Sequence, residues 1–276
     1  MLRSSVFDYQ EYRYLKLACA LVLASTLAYL WFEPAVGHYG GSWLGYGLGT
    51  VSAFLVFWLA WYGIRKRRYR QSGSTQAWLS AHIYLGTTLL VTASLHSGFH
   101  FGLNIHTVAY VLLLIVIASG LFGSFAYLIY PRQMTDNMGE DNLNSLLLRI
   151  ADADKHARQI ALLMPDEIND LVAKACQETQ IGADLLEQLR GYHLDCPSAL
   201  AVQQLAGMSD NLSTEQRKLY RELYSIMVSR QSLIKRIRQD LMYRARLGIW
   251  LYVHVPFAIA LLLALTIHIV SVFIYW

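Results

Sequence analysis

Five stretches of this chain are apolar for long enough to cross a lipid bilayer, and nothing else in the sequence limits its fold as strongly. They lie at about 15–32, 44–63, 79–99, 106–130 and 248–275, against the roughly 20 residues one helix needs to traverse hydrocarbon. Hydrocarbon offers a peptide group no hydrogen-bond partner, so runs of this length must satisfy their backbones internally, as helices do. Hydrophobic residues make up 55% of the 276 and charged residues only 15%, too oily for a water-soluble domain of this size. The expected architecture is all-α: a five-transmembrane-helix bundle with helices 1–4 in residues 1–130, a helical insertion over 131–246, and helix 5 in 247–276.

Charge gives the expected orientation. The 23 Lys and Arg residues fall in three places: the amino terminus (Arg3, Arg13, Lys16), the 65–70 loop, and the 131–246 segment. The connections 33–43 and 100–105 contain none. By the positive-inside tendency the amino terminus and 131–246 face the cytoplasm and Trp276 the exterior, as in a multi-pass protein of a bacterial-type inner membrane. No small-x-small cleavage pattern follows a short apolar core, so the first run reads as retained. Trp31, Trp43, Trp58, Trp61, Trp250 and Trp276 stand near the ends of the runs, as interfacial anchors do. The net charge of +4 is accounted for by topology and calls for no nucleic-acid partner. Three cysteines, Cys19, Cys176 and Cys196, without a CxxC or CxxCH pattern, exclude the usual iron–sulfur motifs and c-type haem attachment on this chain. A Cys176–Cys196 disulfide is not expected in a reducing compartment.

Histidines stand inside this oil. His82 and His96 are fourteen residues apart in the third run, and His254 and His268 are fourteen apart in the fifth. Fourteen residues are 3.9 turns and about 21 Å of rise, so each pair shares a helix face at two membrane depths. An ionisable side chain in the membrane is a functional candidate by default, as a ligand, a proton carrier or a polar packing group. The third and fifth runs contain no Asp or Glu within the bilayer to continue a proton route. In the charge-derived topology both helices run outward, so His82 meets His254 at one depth and His96 meets His268 at the other. Neutral imidazoles on both faces of a haem iron fill its coordination sphere and favour electron transfer over oxygen binding. Gly86, one turn after His82, and Gly120 and Gly123 in the fourth run can admit a porphyrin or serve close helix packing. Ser94 and Thr266 can orient ligand histidines or return to backbone carbonyls.

The motifs HIYLGTTLLVTASLH and HVPFAIALLLALTIH resemble those of the di-haem membrane cytochromes b, a group that includes respiratory cytochrome b and the ferric-reductase-like transmembrane domains. The resemblance covers helices 2 to 5, about half of the chain. It implies two haem b groups, one on His82 and His254 and one on His96 and His268. The chain departs from it in having five runs and no strand-associated GxGxxG fingerprint, so a self-contained nicotinamide-dependent reductase is not expected. His100, Asn104 and His106 around the short FGLNI connection are candidates for haem propionates or a quinone headgroup, or for a plain hydrated interface, and either histidine can replace His96 as ligand. His38 belongs to the same region. Arg67 and Arg68 can pair with haem carboxylates on the other side, although topology alone explains them.

The 131–246 insertion carries 15 basic and 16 acidic side chains, a balance that fits a solvated polypeptide and not a nucleic-acid surface. Helical periods recur in NSLLLRIADADKHARQIALL, PDEINDLVAKACQE and ADLLEQL, with Pro165 opening one helix and Asp166 and Glu167 at its positive end. Ser213 and Gln216 form a capping-box pattern, and no Gly or Pro interrupts the run to Gly248. A long helix is expected there, continuous with helix 5, with Leu219, Leu223, Ile226 and Met227 packed on the smaller helices. His156 and His193 form no metal cluster. The functional expectation is an electron-transfer subunit of an oxidoreductase complex, working between quinone or quinol and a soluble or membrane-associated redox subunit, with the insertion as docking domain. A stand-alone quinol oxidase, a superoxide-handling cytochrome and a nonenzymatic haem-binding assembly or sensor protein are the competing readings.

Overall fold

In a computed structural model of the chain, residues 6–34, 37–68, 75–182, 184–191, 196–209 and 212–274 are described, with the side chains of 62, 64–68 and 75 excepted. The described residues form helices and no strand. They are α1 (Arg13–Trp31), α2 (Trp43–Arg68), α3 (Thr75–Ser97), α4 (Ile105–Met138), α5 (Leu143–Ala161), α6 (Asp166–Glu178), α7 (Leu185–Arg190), α8 (Pro197–Leu205) and α9 (Thr214–Ile274). Five of these, α1 to α4 and α9, are long and apolar enough to cross a membrane. The chain is thus an all-α, multi-pass membrane protein with up to five spans.

Two compact units divide it, Met1–Phe125 with Trp250–Trp276, and Ala126–Ile249. The first is the spanning bundle. Its core gathers Ala18 of α1, Leu55, Val56 and Leu59 of α2, Ala81, Leu85 and Leu89 of α3, Leu113 of α4 and Leu261 of α9. Small and hydroxylated residues bring α3 close to its neighbours: Ser52 donates to Thr92 Oγ1 at 2.9 Å in the buried α2–α3 contact. Leu17, Leu23, Leu27 and Leu30 of α1 stay exposed, the pattern of a helix whose outer surface meets lipid tails.

The second unit has the reverse grammar, with polar surfaces and a compact apolar centre. An Asn142–Ser145 capping box opens α5, Ser145 N–H donating to Asn142 Oδ1 at 2.8 Å and Asn142 N–H to Ser145 Oγ at 2.9 Å. Pro165 precedes α6, with Asp166 and Glu167 in its first turn. Ser213 and Gln216 cap α9 reciprocally, at 3.1 and 3.4 Å. Leu223 and Met227 are fully buried, and Leu219 and Ile226 pack on the same core. Arg230, almost wholly buried, donates to Asp154 of α5 and Ser198 of α8, tying three helices to one guanidinium. Burial and the carboxylate of Asp154 raise the Cys176 thiol pKa against the opposing pull of Arg230, and all three cysteines are free.

Two helices carry a proline inside them. The first is α4, which continues beyond the expected 106–130 run and through Pro131 to Met138. Proline removes one backbone donor and crowds the preceding turn, at about 3 kcal/mol in a helix interior. The turn after it is closed by side chains: Thr135 Oγ1 donates to the Pro131 carbonyl at 2.9 Å, and Asn137 donates to the Arg236 carbonyl at 2.7 Å while Arg236 donates back to Asn137 and Met138 carbonyls, both at 2.8 Å. The other is α9, 61 residues without interruption and with Pro256 inside it.

Candidate metal and cofactor centres

The histidines of α3 and α9 meet at two levels. At the first, His82 and His254 line one cavity. Its remaining wall is almost entirely aliphatic, with Leu59 of α2, Leu113 of α4 and Leu261 of α9 among its residues. Gly86 and Gly120 belong to the same wall. A Cβ on Gly86 would meet Leu59 Cδ1 at 3.9 Å, an ordinary van der Waals contact, and nothing closer. A Cβ on Gly120 would sit 3.5 Å from His254 Cε1.

A relay on α4 orients His254. Ser119 Oγ donates to the Val116 carbonyl at 3.0 Å and lies 2.8 Å from His254 Nδ1. With the hydroxyl donating to that carbonyl and accepting from the imidazole, His254 carries its proton on Nδ1 and keeps the Nε2 lone pair for a metal. Trp250, one turn before His254, donates from Nε1 to the Ser119 carbonyl at 2.8 Å. Its indole occupies the place where a side chain on Gly123 would stand. Gly123 thus serves packing against Trp250, while Gly120 stands against the histidine.

At the second level three histidines converge. His96, His106 and His268 each bring a ring nitrogen within 4.8 Å of the other two, a cluster able to hold a metal ion. His96 Nδ1 lies 2.7 Å from the Gly45 carbonyl. A carbonyl only accepts, so the proton is on Nδ1 and Nε2 is free to ligate. The ring fits because α2 begins with glycines: a Cβ on Gly49 would lie 2.6 Å from His96 Cε1, and one on Gly40 3.4 Å from the same atom. His106 Nδ1 stands 3.5 Å from His268 Nε2.

Other sequence candidates are engaged elsewhere. Asn104 is the cap of α4, its Oδ1 accepting from Thr107 N–H at 3.0 Å and Thr107 Oγ1 at 3.2 Å. His100 turns back on its own loop, with Nδ1 2.8 Å from the Gly98 carbonyl. His38 stacks on Tyr29 at 3.8 Å. Ser94 bonds Leu90 and Tyr110, and Thr266 bonds Leu262; both hydroxyls contact residues other than the histidines. Arg67 and Arg68 close α2, and their side chains fall outside the described residues, as does His193. His156 pairs across one turn with Asp152 at 4.0 Å on an exposed face.

Sequence reasoning missed Ser119, Trp250, Gly45 and Gly49. A signal existed for each. Ser119-Gly120 with Gly123 three residues on, and Trp250 four residues before His254, are helical-face patterns. Gly45, Gly47 and Gly49 are an unusual density of glycine at the start of a spanning helix.

Set against protein-family models, curated proteins and solved structures, the chain matches none. Fold and site therefore define its class: a multi-pass helical membrane protein with a half-buried histidine cluster able to take a metal ion or ligand.

Proposed function

We propose that this chain is the membrane subunit of an oxidoreductase that carries electrons through the bilayer, holding a b-type haem between His82 and His254. One observation carries the reading: two imidazoles from α3 and α9 face one aliphatic cavity whose wall is thinned by Gly86 and Gly120. The donor chemistry suits the group, since paired neutral imidazoles are the axial set of low-spin electron-transfer haems. Bound there, the iron would supply one-electron exchange. The protein's share is orientation and exclusion of water: Ser119 and Trp250 fix His254, and the leucines keep the dielectric low.

The cytochrome b-like arrangement implied by the two H-x13-H motifs puts a second haem b on His96 and His268, with electrons passing between quinone or quinol and a partner redox subunit. As the rings stand, His106 lies between those two ligands, so a second haem requires His106 to swing aside. The same reading makes 131–246 the docking domain, on the cytoplasmic side with the amino terminus, and the carboxy terminus exterior.

The test is an oxidised and dithionite-reduced spectrum of the purified chain with haem quantification, repeated for single alanine substitutions at His82 and His254. A low-spin b-type spectrum lost in both variants is expected. Intact, folded protein free of haem after expression with adequate haem supply would sink the proposal.

A further inference from the structure

The third histidine decides what the second level can hold. The ring centres of His96 and His268 are 6.3 Å apart, and His106 lies 5.2 Å from the first and 4.9 Å from the second. A triangle with those sides puts the His106 ring about 4 Å from the midpoint of the other two, nearly equidistant from both. It therefore occupies the plane in which a macrocycle ligated by His96 and His268 would lie, inside the radius of that macrocycle. A porphyrin and this ring compete for one volume.

A bare ion has no such conflict. Imidazole nitrogens bind zinc-like ions at about 2.0–2.1 Å, and tetrahedral geometry then separates two donors on one ion by about 3.3 Å. The 3.5 Å between His106 Nδ1 and His268 Nε2 is close to that edge. It is long for a hydrogen bond, whose usual range ends near about 3.2 Å. His96 completes the set with Nε2, since its Nδ1 proton is given to the Gly45 carbonyl. We infer that His96, His106 and His268 form a three-histidine centre that binds a borderline first-row transition-metal ion directly, in place of a second haem. Neutral imidazoles select ions of the zinc, copper, nickel and cobalt class over calcium or magnesium, and three protein ligands leave a fourth position open. The inference revises the haem reading only at this level and stands independently of the haem at His82 and His254.

The experiment uses the full-length chain, free of any polyhistidine tag, purified in detergent, stripped with chelator and titrated with Co(II) alone. The expected result is one Co(II) per chain, with the visible d–d absorption of four-coordinate nitrogen ligation. That band should be lost in His96→Ala, His106→Ala and His268→Ala and kept in His82→Ala and His254→Ala. His106→Gln serves as a second variant, and the helix signal in circular dichroism reports folding in each. Two haems per chain, both retained in His106→Ala, with Co(II) left unbound, overturn the inference. Co(II) bound by the three histidines in protein without haem keeps the inference and removes the haem proposal. One haem and no Co(II) does the opposite.

Discussion

His82 with His254 and His96 with His268 repeat one spacing on the same two helices, yet the two levels are built differently. At the first, glycine lines a cavity: a Cβ on Gly86 would meet only Leu59 Cδ1, at 3.9 Å, in an otherwise aliphatic wall. At the second, glycine yields space already taken, because His96 is pressed into the notch at Gly49. Both levels hold a histidine through Nδ1, by a serine hydroxyl for His254 and a backbone carbonyl for His96. Spacing on a helix sets depth and face. What the histidines hold is set by the elements opposite, α4 at one level and the start of α2 with His106 at the other.

Filling the glycine notch at each level in turn tests this contrast most severely. Gly49→Val places a branched side chain where the His96 ring lies, and the metal content of the second level should fall to background while the haem spectrum at the first persists. Loss of both together would show that the levels are not separately built. Gly123→Leu is the converse, since it displaces the Trp250 indole. It should remove haem from the His82–His254 level and leave Co(II) binding intact, read by the same pair of spectra.

A gentler change sharpens the comparison. Ser119→Ala keeps both histidines but deletes the hydroxyl that holds His254 Nδ1. Partners of this kind typically contribute about 10–100-fold in metal affinity, so haem retention on dilution should weaken by about that factor, with a shifted midpoint potential. Ser119→Thr, which keeps the hydroxyl, should restore both. An unchanged potential in Ser119→Ala would reduce the relay to helix packing.

The residues that told their story in the sequence are those whose constraint is local. Length and apolarity gave the spanning helices, because lipid leaves a backbone no alternative. Ser213 with Gln216 announced the start of α9, since a capping box is closed within four residues. His106 was legible only as one candidate among several, because its meaning depends on α3 and α9 arriving beside it from 10 and 162 residues away in sequence. Asn104 is the opposite case: a polar residue near histidines reads as a ligand contact, while the helix that starts at the next residue had the prior claim on its side chain. The extension of α4 past residue 130 was hidden because the contacts that close its last turns, from Thr135, Asn137 and Arg236, come partly from a helix 99 residues away in sequence.

The second unit offers a control of different character, a buried charge with a structural task. Arg230 is 2% exposed and holds Asp154 and Ser198 together. Removing one partner of a buried ion pair typically costs about 3–5 kcal/mol, and the partial exposure of Asp154, 24% for its side chain, lets water relieve part of that. Arg230→Ala should therefore cost nearer about 3 kcal/mol, seen as a lower thermal midpoint for the loss of helix signal in the full chain. It should leave haem and Co(II) content per folded molecule unchanged, because the histidine levels are composed wholly of residues from the other unit. A variant that kept its midpoint but lost either centre would mean that Arg230 acts on the histidines and that the two units are not energetically separate.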